Sequence, residues 1–201
     1  MESILNALYA AYAPEVLILY GSYADGTNGA GSDFDALILS DHAPHHDTST
    51  IEGVQMDVWV YPADYFTADD TLAEVIQIED GILVHDPHGK GAALQSRVRA
   101  LRASMPGKSA GENAESLAWC RKMLRRTARP DAEGLFRWHW LLTESLEIAC
   151  DLLHQPYPGP KKALRWLEKH QPELYAVYFR ALSAPDHAAL ADWITALEGL
   201  L

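Results

Sequence analysis

The sequence predicts an α+β protein, a small mixed-sheet domain followed by an all-α helical bundle. Three observations carry this. Short runs of β-branched and apolar residues occur only within the first 90 residues. From Gly89 onward strand signals vanish and apolar residues recur at helical spacing. Charge divides at about the same place: residues 1–96 hold one base, Lys90, against sixteen acids, whereas residues 97–129 hold nine bases against two acids. The boundary is expected near residue 105, at "MPGKSAG", which gives domains of 1–105 and 106–201.

The elements follow in order. Residues 3–13 predict a helix, with Ile4, Leu5, Leu8 and Tyr12 at helical spacing and Pro14 just past its end. Strands are predicted at 15–20, 34–39 and 53–61. Between the last two lies a polar stretch, 40–50, whose His42, His45 and His46 are expected in an exposed loop without ordered geometry. Residues 71–78 look helical, and "ILVHD" at 82–86 is a short strand ended by "PHG". Helices are predicted at 91–104, 112–128 and 132–154. After the Pro-rich break "QPYPGPKK", three more are predicted at 161–170, 172–183 and 186–199. The sheet is expected to carry helices on one side only.

Composition excludes several classes. The chain has 201 residues and is 48% hydrophobic, enough for real cores in both parts. No stretch of about 18 apolar residues and no basic-then-apolar leader is present, so neither a membrane span nor a signal peptide is expected. Cys120 and Cys150 lack metal-ligand spacing and suit reduced core thiols in a cytoplasmic protein. The acidic first half argues against long nucleic acids, which need a basic track, and favours a metal or a cationic acceptor.

The densest chemical signal is Leu19–Leu39, "LYGSYADGTNGAGSDFDALIL". A strand enters Gly21-Ser22, and Asp33-Phe34-Asp35 opens the next. Residues two apart on a strand share a face, so Asp33 and Asp35 project together while Phe34, Ala36 and Ile38 enter the core. Asp57, alone among apolar residues in "VQMDVWV", completes three carboxylates if its strand lies alongside. Such anions gather around a cation, and an oxygen-only donor set suits a hard ion, magnesium foremost. Gly21 lets backbone approach a phosphate, and Ser22 opens a short helix whose N-terminus favours an anion.

The order of Gly21, Ser22, Asp33, Asp35 and Asp57 resembles the signature of the DNA polymerase β-like nucleotidyltransferase superfamily. The resemblance covers about the first hundred residues. It implies Mg²⁺ held by Asp33, Asp35 and Asp57, nucleotide contacts from Gly21 and Ser22, and in-line attack on the α-phosphorus of a nucleoside triphosphate. The segment from Glu144 loosely resembles the base-bearing helix of kanamycin-type aminoglycoside nucleotidyltransferases. That implies Glu144, with Glu147 as alternative, as the acceptor's general base facing an interdomain cleft. The segment "YPGPKKALRWLEKHQPELY" resembles small nucleotidyltransferases with helical C-terminal domains, where Lys161 or Lys162 would reach phosphate.

The resemblance thus implies transfer of a nucleoside monophosphate, from ATP in the first instance, to a hydroxyl of a small molecule such as an aminoglycoside. One departure bears on it: Asp25 stands where superfamily members often carry a base, which keeps a nucleotide-binding pseudoenzyme open. A toxin–antitoxin type enzyme that modifies or binds a protein is the other alternative. The Arg165–His170 and Arg180–His187 spacings do not favour it, since chance supplies about that many. Trp138, Trp140 and Trp166 are expected in the core, with a homodimer face as the other use.

Overall fold

The computed structural model describes residues 1–201 and divides them into two compact units, Met1–Met105 and Pro106–Leu201. The first opens with helix α1 (Glu2–Tyr12) and strand β1 (Val16–Leu19), then a one-turn helix α2 (Gly21–Asp25). Strands β2 (Phe34–Leu39), β3 (His45–Asp47), β4 (Thr50–Ile51) and β5 (Val54–Tyr61) follow. Helix α3 (Asp69–Ala73), a 3₁₀ turn (Ile76–Asp80), strand β6 (Ile82–His85) and helix α4 (Lys90–Ser104) complete the unit.

The sheet is mixed. Its order is β3-β5-β2-β1-β6, with β4 paired to β5 off that path. The one parallel pair is β2 with β5; the others are antiparallel. That parallel pair positions the site, because its register sets Asp35 directly beside Asp57.

Helices cover both faces of this sheet, which corrects the one-sided arrangement expected from sequence. Leu17, Leu19, Phe34, Ala36, Ile38 and Val58 pack with Ile4 and Leu8 of α1. Val16, Ile18, Leu37 and Leu39 pack instead with Leu72, Ile78, Leu94 and Val98. The reason is legible in the strands. "VLIL" and "ALIL" are apolar at both parities, so each strand has two faces to bury.

Two local departures from expectation have physical causes. Residues 71–78 form no single helix, because Glu74, Val75 and Ile78 close three-residue turns onto Thr71, Leu72 and Val75. Residues 45–47 are a strand rather than loop. β3 pairs with β5, and Asp47 accepts from the Tyr12 hydroxyl at 2.7 Å and from the Ser49 amide at 2.8 Å.

The second unit holds helices α5 (Ala110–Thr127), α6 (Ala132–Leu152), α7 (Pro160–His170), α8 (Pro172–Ser183) and α9 (His187–Glu198), with no strand. Their starts follow capping rules. Ser109 and Glu112 form a reciprocal capping box for α5, Asp131 accepts from the Gly134 amide, and Pro160 and Pro172 occupy first-turn positions. Trp193 is fully buried at the centre, set edge-on against Tyr178 with centroids 4.8 Å apart. Its indole N–H donates to the Ser145 hydroxyl at 2.8 Å, and Tyr178 donates to the Leu142 carbonyl at 3.0 Å.

Ser145→Ala should therefore cost about 1–3 kcal/mol, since it leaves a buried indole N–H unpaired. Chemical denaturation with an unchanged slope would check it. Of the three tryptophans singled out from sequence, Trp138 is buried and Trp166 packs against the same core, while Trp140 remains 43% exposed. Both cysteines are buried, and burial pushes the Cys120 thiol up to about 12 and the Cys150 thiol up to about 11. Neither is poised as a nucleophile. No helix is long and apolar enough to cross a membrane.

Candidate active site

The site builds from the end of β1, the start of β2 and the middle of β5, three neighbouring strands of the first unit. β1 ends at Leu19, and Tyr20 follows with an extended backbone, its amide donating to the Asp35 carbonyl at 3.0 Å. Gly21 then turns the chain with φ +65° into α2. A Cβ at this position would lie 2.2 Å from Asp35 Oδ2 and 2.8 Å from its carboxyl carbon. Glycine is thus required twice, by the left-handed dihedral and by the carboxylate against it.

Gly21→Ala should consequently cost at least about 1–2 kcal/mol from the dihedral alone, and should displace Asp35 as well. Thermal melting together with a nucleotide-binding titration checks both effects. Ser22, next along, lies within the first turn of α2, a helix of five residues. Asp25 closes that helix: its carboxylate accepts from the amide and hydroxyl of Thr27. The acid that departs from the superfamily pattern thus has a local structural use.

Asp35 and Asp57 are register partners on parallel strands, so their side chains share one face. Both are half-buried. Tyr20 lies in the field of both carboxylates. Burial first, and then the charges of Asp57 and Asp35, push its phenol well above its ordinary range, against an opposing hydrogen bond with Gln77. Asp33 precedes β2 by one residue and is exposed. No three His, Cys, Asp or Glu side chains are gathered tightly enough to form an ion-binding group. Mutual repulsion opposes closer approach of like charges.

The residues nevertheless suit a hard divalent cation. Paired carboxylates offer oxygen donors, and the missing Cβ at Gly21 is what allows the Asp35 carboxylate to take its place beside the turn.

Asp57 has a partner that the sequence reading missed. His46 Nε2 lies 2.6 Å from Asp57 Oδ1, and its ring stacks on Trp59 with centroids 4.1 Å apart and planes 4° from parallel. The available signal was the alternation in "VQMDVWV", which sets Asp57 and Trp59 on one face. The polar "HHD" gave no hint of a strand.

In the second unit, Glu144 and Glu147 are exposed on α6 and line a groove of about 350 Å³ with Lys108, Glu115 and Trp119. Asp151, the third acid of that face, is engaged by Lys108 at 2.7 Å. The groove is electronegative, and its effect reaches Tyr157, whose phenol is raised by burial and then by the charges of Glu147, Cys150 and Glu144. Lys161 and Lys162 lie in the first turn of α7, Lys161 exposed and Lys162 partly buried.

The Arg–His spacings have ordinary uses. Arg165 donates to the Lys161 carbonyl at 3.3 Å, His170 contacts the Trp166 carbonyl at 3.0 Å, and Arg180 pairs with Asp192.

In comparison with known families, residues 1–88 match the nucleotidyltransferase domain family. That span contains Gly21, Ser22, Asp33, Asp35, Asp57 and His46. No curated protein matches the chain.

Proposed function

We propose that this protein, whose residues 1–88 match the nucleotidyltransferase domain family, moves a nucleoside monophosphate from a nucleoside triphosphate to a hydroxyl of a small acceptor. The observation that carries this reading is the side-by-side register of Asp35 and Asp57, with Gly21 packed against the Asp35 carboxylate. Two acids on adjacent parallel strands, flanked by a glycine turn, form an acidic site beside a backbone that a phosphate can approach.

Asp35 and Asp57, with Asp33 immediately before β2, would hold Mg²⁺. When bound, the ion supplies charge neutralisation at the triphosphate and a lowered pKa for a coordinated hydroxyl. The chain's own residues do the rest. Gly21, having no Cβ, lets the Asp35 carboxylate lie against the turn that leads into α2, and the Ser22 hydroxyl and nearby amides are donors for phosphate oxygens. Glu144 accepts the acceptor's proton, because the acids that hold a cation are poor bases. Glu147 is the alternative, one turn along α6. Lys161 and Lys162 supply positive charge for the triphosphate, which residues 1–96 nearly lack.

ATP is the favoured donor. The acidic groove at Glu115, Glu144 and Glu147 favours a cationic acceptor of the aminoglycoside type. A test is incubation with each nucleoside triphosphate, Mg²⁺ and a panel of hydroxylated acceptors. Addition of one nucleoside monophosphate, with one pyrophosphate released per product, supports the reading. Tight nucleotide binding with no product from any pair would make the protein a nucleotide binder instead.

A further inference from the structure

The geometry points to His46 as the positioning residue for Asp57, an inference that rests on the metal reading of that carboxylate. β3 pairs antiparallel with β5 so that His46 stands directly opposite Trp59. Side chains opposite one another share a face, and here the rings stack at 4.1 Å with planes 4° apart. Trp59 thereby fixes the plane of the imidazole. Within that plane, Nε2 reaches Asp57 Oδ1 at 2.6 Å. An ionised carboxylate only accepts hydrogen bonds, so Nε2 carries the proton and donates.

This contact has a consequence for the cation. With Oδ1 engaged by His46, Asp57 presents Oδ2 as its free oxygen. One-oxygen ligation suits the small, near-octahedral demand of magnesium, whereas the larger calcium commonly takes a carboxylate by both oxygens. His46 therefore both orients Asp57 and biases the site toward the smaller ion. Such outer partners of metal ligands govern affinity as well as geometry.

The test uses the full chain and Mn²⁺ binding by isothermal titration, with no turnover required. His46→Gln and His46→Asn form the decisive pair. The glutamine amide nitrogen falls where Nε2 stands along the side chain, and the asparagine nitrogen falls nearer Nδ1, which does not touch Asp57 in this structure. Both are polar and His46 is about one-third exposed, so neither opens a cavity. His46→Asn should weaken Mn²⁺ binding roughly 10–100-fold, while His46→Gln stays within about threefold of wild type.

Competition titrations add a second signature. Calcium should gain on magnesium in His46→Asn, because both Asp57 oxygens become available. Equal affinities in both His46 variants, alongside lost binding in Asp57→Asn, would overturn the positioning role while leaving the metal reading intact. Wild-type Mn²⁺ affinity in Asp57→Asn would remove the metal reading, and the role of His46 with it.

Discussion

Asp35→Asn is expected to reduce nucleotidyl transfer by roughly 10³-fold or more while leaving the protein folded. Asp35 sits beside Asp57 in register and against Gly21, with Tyr20 in the same field. Removing one of two adjacent anions takes away a cation ligand and half the negative charge there. It also relieves like-charge repulsion, so stability should hold or rise slightly. Pyrophosphate release at saturating Mg²⁺, measured beside thermal melting, separates the effects. A variant that melts early would show that Asp35 is a structural partner first. A stable variant at full activity would remove Asp35 from the chemistry.

The second large effect is expected at Glu144. Glu144→Gln keeps the shape of the side chain and deletes its capacity to accept a proton. Turnover should fall about 10²–10⁴-fold with nucleotide affinity nearly unchanged. The side chain is exposed and lines the groove with Glu147 and Trp119, so the substitution should not disturb the α6 core. If activity instead collapses in Glu147→Gln and survives in Glu144→Gln, the proton is taken one helical turn along. If both variants remain fully active, neither Glu144 nor Glu147 is the base.

Much of the fold was legible in the sequence because local rules and tertiary demands agree. β2 runs over Phe34–Leu39, the span its apolar pattern predicts, and the helices of the second unit begin at Ser109, Asp131, Pro160, Pro172 and Asp186 or immediately after them. What stayed hidden depends on partners distant in sequence. β3 has three polar residues and exists because β5 offers it hydrogen-bonding groups. The covering of both sheet faces was written in "VLIL" and "ALIL", where neither parity is polar.

The candidate site divides the same way. Gly21, Asp35 and Asp57 are marked by their types and spacing, and strand register brings the two acids together. His46 could not be found from spacing, since its contact with Asp57 exists only after β3 and β5 pair. Asp25 shows the converse. As a departure from a family pattern it reads as a lost phosphate contact, yet here its carboxylate holds Thr27 and closes α2.

In nucleotidyl transfer the α-phosphoryl group, with its nucleoside, reaches the acceptor. Parallel reactions with ATP labelled at the α- or the γ-phosphorus test it most directly, run with wild type and Asp35→Asn. Label on the acceptor from α-labelled ATP alone, absent in the variant, is the predicted result. Label arriving from γ-labelled ATP would make the reaction a phosphotransfer and would contradict the assignment.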